Sequence, residues 1–137
     1  MSSAASIESA ELRVAGKINL FLLITGRRAN GYHELATLFV PLPQPCDVMS
    51  LSPMPGQSGV AFFCDSPLVD RRSNTVVRAY ETYAGATGFA PSISVCLRKG
   101  IPTGAGLGGG SADGAAMLSW LQRNNPHPLE DQNILSL

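Results

Sequence analysis

The chain has 137 residues, 45% hydrophobic and 15% charged, which is the composition of one globular domain rather than of a disordered or fibrous chain. Its 10 Lys and Arg balance 10 Asp and Glu. With no broad electrostatic field, neither nucleic acid nor a membrane surface is expected as a partner, and any phosphate must be held locally.

The opening "MSSAASIESAELR" has neither the basic nor the apolar region of a signal peptide, so residues 1–11 read as a flexible lead-in and 12–137 as the domain. "KINLFLLIT" alternates: Ile18, Leu20, Leu22 and Ile24 face one way, and Asn19, Phe21, Leu23 and Thr25 the other. That predicts a strand buried on both faces for most of its length. Asn30-Gly31 is a hairpin signal of the type I′ kind, and "YHELATLFVPL" is the expected return strand. "DVMSLS" and "GVAFFCD" read as two further short strands around the Pro/Gly-rich "PMPGQSG".

"SNTVVRAYETYAGATG" predicts a helix capped by Ser73 or Asn74 and closed by Gly88. "SISVCLRK" is another strand, a helix follows from about Ser111 to Gln122, and one more helix starts after Pro128. Strands, a helix, a strand and a helix make an α+β order. Cys46, Cys64 and Cys96 are odd in number and form no CxxC, which suits reduced thiols and a cytoplasmic location better than a disulfide framework or a zinc site. No apolar run is long enough to span a bilayer. The sequence sets no oligomeric state.

Between the last long strand and helix runs "GIPTGAGLGGGSADGAAML". Glycines let backbone N–H groups converge on an anion, and the following helix adds the positive end of its dipole. Ser111 is placed to cap that helix or to turn its hydroxyl to a phosphate or metal, and Asp113 is expected in the first turn. A Walker A loop would need lysine where Gly110 stands. Gly104, Gly106 and Gly109 match GxGxxG, but Glu130 and Asp131 fall in a helix start instead of at a strand end, against a dinucleotide fold. A plain glycine linker is disfavoured by the strand before and the helix after. A phosphate cradle is the physical reading.

"PTGAGLGGGSADGAA" resembles the ATP loop of the GHMP kinases, the family of galactokinase, homoserine kinase and mevalonate kinase. "GKINLFLLITGRRANGYHELATLF" resembles the N-terminal signature of one branch, which phosphorylates the 2-hydroxyl of a cytidyl diphosphate-linked methylerythritol in non-mevalonate isoprenoid synthesis. The resemblance covers nearly all of Arg13–Leu137. It implies a ribosomal S5 domain 2-like α+β fold, with ATP and Mg2+ as cofactors. It implies that Pro102, Thr103, Gly104, Ala105, Gly106, Leu107, Gly108, Gly109, Gly110, Ser111 and Ala112 hold the triphosphate, with Ser111 toward the metal, and that Asn74 and Lys99 flank the nucleotide.

Taken alone, Lys17 is an ordinary strand-end lysine and Lys99 an ordinary surface one. The resemblance makes Lys17 catalytic, its charge stabilising that which builds during transfer. Asn19, on the same strand face, then orients the acceptor, and Tyr32 and His33 read the cytosine. The pair Arg27 and Arg28 reads as solvated hairpin charge. The general base of the family is an aspartate in Gly-Ala-Asp-[VI]-Pro, expected beyond Leu137, so these residues alone are expected to be inactive. The rival readings are a nucleotide-binding remnant without catalysis and a kinase of the same family for another small alcohol.

Overall fold

The computed structural model describes residues 7–134 and residue 137. β1 (Ala10–Arg27), β2 (His33–Pro53), β3 (Val60–Cys64) and β4 (Ile93–Arg98) form one sheet in the order β1-β2-β4-β3. β1 with β2 and β2 with β4 are antiparallel, and β3 lies parallel to β4. That parallel pair needs a crossover, which α1 (Thr75–Thr87) supplies. The fold is α+β, with one crossover unit attached to a long hairpin.

Asn74 caps α1, its side chain accepting from Val76 N at 2.7 Å, and Gly88 closes it in the left-handed region. α2 (Gly109–Asn124) packs beside α1, and α3 is a single turn, Asp131–Ile134. Leu135 and Ser136, expected to continue it, lie outside the described residues.

The core is one-sided. Met49 and Leu51 of β2, Phe62 of β3, and Ile93, Val95 and Leu97 of β4 face Val76, Val77, Tyr80 and Tyr83 of α1 and Met117, Trp120 and Leu121 of α2. On β4 the intervening Cys96 and Arg98 are exposed, so the period of two holds where a helix covers one face. Among the described residues no helix is long and apolar enough to cross a membrane.

Four local expectations are corrected. β1 already starts at Ala10, paired with Leu51, so Ala10 and Glu11 belong to the sheet and Lys17 lies within the strand. "DVMSLS" is the second half of β2, not a separate strand. The prolines hid this: Ala15 pairs with Cys46 but Gly16 pairs with Leu42, which leaves Pro43, Gln44 and Pro45 outside the register, where a missing N–H costs nothing.

The outer half of the hairpin is not buried on both faces. Leu20, Phe21, Leu22, Leu23 and Ile24 are all more than half exposed, because β4 pairs only with Val48–Pro53 and no element among the described residues covers the rest. A register shift at Leu20 also breaks the alternation. Finally, the turn is not type I′. Gly31 has φ +88° but Asn30 does not share it. Gly31 N donates to Arg28 O at 3.0 Å and Arg28 N to Tyr32 O at 2.7 Å, the pattern of a three-residue loop with glycine last.

Candidate functional site: a glycine loop between two cavities

The loop leaves β4 and enters α2. Gly104, Gly106 and Gly108 have φ of +78°, +73° and +72°, while Ala105 and Leu107 between them do not. Alternating hands turn successive N–H groups to one side, which makes an anion-binding concavity. Only glycine adopts that backbone without strain, which explains the Gly-x-Gly-x-Gly spacing. Gly108 is the N-cap of α2 and no side chain among the described residues caps the helix, so its first N–H groups are left for a ligand.

Two site expectations shift with that start. Ser111 is the third residue of α2, in its first turn and exposed, and is not the cap. Asp113 lies beyond the first turn and is buried. Its Oδ2 accepts from Lys99 Nζ at 2.9 Å, and the same ammonium pairs with Asp47 Oδ2. Lys99 is therefore a largely buried strut between two carboxylates instead of a surface lysine.

Asp47 was not legible as a site residue. Its Oδ1 accepts from Gly100 N and Ile101 N, each at 2.8 Å. The available signal was phase: Asp47 falls in step with the buried Met49 and Leu51 of β2. Asp113 likewise falls at helical spacing with Met117, Trp120 and Leu121. An acid on an apolar stripe demands a partner.

The ionisation of this cluster follows from its burial. Burial lowers the Lys99 pKa, but the bonds to Asp47 and Asp113 outweigh it, and the net direction is up. For Asp113, burial pushes the carboxyl up, Lys99 pulls it back and Asp47 adds repulsion, leaving it at about 6. Its Oδ1 is buried without a hydrogen-bond partner among the described residues. A folded pKa above the unfolded value means stability present below about pH 3.8 and lost as pH rises through about 6. Asp113→Asn should remove that contribution, on the order of 2–3 kcal/mol. In paired melting curves, the parent's Tm should rise relative to that of the variant as pH falls from 7.5 to 4.5 (roughly the window between those values). A constant gap would contradict it.

On the other side of the loop, Lys17 N donates to Leu107 O at 2.8 Å, which ties β1 to the loop. Lys17 Nζ lies 2.5 Å from Asn19 Oδ1, 3.1 Å from Gly106 O, and over the Phe39 ring at 5.4 Å. Asn19 Nδ2 donates to Thr37 Oγ1 at 2.8 Å, and Thr37 donates to Phe21 O at 2.6 Å. Thr37 is a second residue that the sequence reading missed, hidden among strand residues. Thr75 is a third: its hydroxyl donates to Gly110 O at 2.5 Å, joining the starts of both long helices.

A cavity of about 410 Å³ is lined by Pro102–Ser111, Asn74, Lys99 and Asp113. A second, of about 740 Å³, is lined by Lys17, Asn19, Thr37, Phe39 and Ala112. Gly106, Gly108 and Ser111 line both, so the loop is their shared wall. Tyr32 and His33 line neither; they are exposed at the hairpin tip, beside the Arg28–Glu34 ion pair at 3.4 Å. Arg28 is thus paired, though still exposed.

A strand, a left-handed glycine loop and a helix N-terminus beside a pinned lysine are the parts of a phosphate site. The family model described as GHMP kinases N terminal domain matches residues 74–137, which include that loop. Over those residues the chain is similar to the GHMP kinases. Among them it is similar to the 4-diphosphocytidyl-2-C-methyl-D-erythritol kinase of Solidesulfovibrio magneticus, 50% identical over 115 residues, 84% of this chain and 39% of the relative. The kinase of the same name from Nitratidesulfovibrio vulgaris is 46% identical over 132 residues, 95% of this chain and 45% of the relative. A crystal structure of 4-(cytidine 5'-diphospho)-2C-methyl-D-erythritol kinase superposes with a TM-score of 0.74 at 37% identity, covering 93% of this chain and 45% of that one. The chain thus spans less than half the length of these GHMP kinase relatives.

Proposed function

We propose that this chain forms the nucleotide- and acceptor-binding part of an ATP-dependent kinase. Its acceptor is the 2-hydroxyl of 4-diphosphocytidyl-2-C-methyl-D-erythritol, in isoprenoid precursor synthesis in the cytoplasm. The observation that carries the reading is the shared wall: a loop built for phosphates separates a cavity for the nucleotide from one that holds Lys17. Identity to kinases named for that substrate supports the choice of acceptor.

In this reading Asn74 and Lys99 flank the nucleotide, and residues 102–112 receive the triphosphate through backbone N–H groups. The acceptor oxygen attacks the γ-phosphorus, ADP leaves, and Lys17 stabilises the charge that develops. Asn19, held by Thr37, orients both Lys17 and the acceptor. The proton goes to a carboxylate outside these residues, in the Gly-Ala-Asp-[VI]-Pro motif of the family.

Magnesium fits the donors present. Among the described residues there is no group of three His, Cys, Asp or Glu to cage a metal. Mg2+ carried by a triphosphate keeps its waters and needs only one or two protein oxygens, which the exposed Ser111 hydroxyl can supply. When bound, the ion neutralises phosphate charge.

The test is ADP release with ATP, magnesium and the cytidyl substrate, measured on a chain of the relatives' full length. Turnover with that substrate and none with mevalonate or homoserine supports the reading; ATP binding without turnover on any of them favours a nucleotide-binding remnant. His33→Ala gives a finer check. His33 is exposed in this chain, and a hydrogen bond from it to the base, once the bound substrate covers it, would be worth about 1–3 kcal/mol. The KM for the cytidyl substrate should rise roughly tenfold to a hundredfold while ATP affinity holds. Equal losses for both ligands would make His33 structural.

A further inference from the structure

Asp47 stands outside both long motifs, yet it touches the phosphate loop at both ends. At the entry, its Oδ1 accepts from the backbone of Gly100 and Ile101. At the exit, a Cβ built on Gly109 would lie 3.2 Å from its Oδ2, so the carboxylate sits against the first residue of α2. The same oxygen pairs with Lys99, which reaches on to Asp113 within α2. The fit is tight: a Cβ on Gly100 would lie 2.1 Å from Cys46 O, and one on Gly109 2.9 Å from Ile101 Cγ2. Asp47 itself is fully buried, so its oxygens serve no solvent contact.

We infer that Asp47 is a positioning residue that holds the entry and the exit of the phosphate loop at a fixed separation, so that the loop meets its ligand already shaped. The inference rests on the loop being the nucleotide site. The physical reason is entropic. A glycine-rich loop has more conformational freedom to lose than any other, and a ligand that must order it binds more weakly. Anchoring both ends through one rigid β2 carboxylate removes most of that freedom before the ligand arrives. Removal of Asp47 does not strand the buried Lys99, which keeps Asp113 as its partner.

Two readouts test it: amide hydrogen exchange at Gly100 and Ile101, and Mg-ATP affinity by calorimetry. Asp47→Ala should speed exchange at both amides at least tenfold, leave Val95 and Leu97 protected, and weaken ATP at least tenfold. Asp47→Asn keeps one oxygen for the two backbone donors and severs only the ion pair, so it should restore slow exchange and most of the affinity. Should Asp47→Ala not fold, Asp47→Glu replaces it. It keeps the charge but displaces the oxygens by one methylene, and the same two losses are expected, at least fivefold each. A folded Ala or Glu variant with the parent's ATP affinity overturns the inference, as does an Asn variant that loses as much as Ala. If the parent itself does not bind ATP, the nucleotide reading of the loop fails, while the exchange data still report whether Asp47 holds it.

Discussion

Lys17→Met should lower the rate of phosphoryl transfer about 10²–10³-fold, the effect of removing one preorganised charge or donor from a transition state. Among the described residues, Lys17 is the only charged side chain lining the larger cavity. Its ammonium is held on three sides, by Asn19, by the Gly106 carbonyl and by the Phe39 ring. A cation fixed in this way needs no reorganisation when charge develops, which is the source of its advantage over water. Methionine keeps the apolar stem out to Cε, the part that packs near Gly108, so the loop should keep its shape. Steady-state ADP release should therefore show kcat falling while the affinity for ATP changes less than about threefold. A kcat within threefold of the parent would remove Lys17 from the chemistry.

Gly108→Val should abolish useful nucleotide binding, with Kd rising at least about tenfold, equivalent to 1.4 kcal/mol or more. Two costs combine. Gly108 has φ +72°, where an L residue pays roughly 1–2 kcal/mol, more for a β-branched one. Its Cβ would also lie 3.0 Å from Lys17 Cε and 3.2 Å from Lys17 Cγ, so valine displaces the lysine stem as well. Calorimetry with Mg-ATP checks the first effect. Gly85→Val is the contrasting variant, in α1 with nothing near its added Cβ and φ outside the left-handed region. It should cost stability alone. Unchanged ATP affinity in Gly108→Val would show that the loop backbone does not approach the phosphates.

What the sequence disclosed tracks how local each determinant is. The glycine loop was readable because alternate left-handed residues admit almost nothing else, and Asn74 and Gly88 were readable as the ends of α1 because caps are set by neighbours. The hairpin was readable from Asn30-Gly31, but its turn type was not, since glycine alone supplies the positive φ. β2 was read as two strands because its prolines imitate a break, and only pairing with β1 shows them looped out of register. The Asp47–Lys99–Asp113 cluster joins residues 52 and 14 positions apart from the lysine, a separation no local pattern records. Both acids nevertheless broke an apolar stripe, and an acid in that phase is a request for a buried partner.

The wall common to the two cavities has a thermodynamic consequence. Gly106, Gly108 and Ser111 present one face to each side, so a ligand that settles the loop on one side alters the surface met by a ligand on the other. The two occupancies are then linked through a coupling free energy, and linkage is reciprocal: whatever factor the nucleotide imposes on acceptor affinity, the acceptor imposes on nucleotide affinity. Lys17 sits on this hinge of exchange, bonded to the wall through both its backbone N–H and its ammonium. The two substrates would in this way sense one another through the loop backbone before transfer brings the acceptor oxygen to the phosphorus.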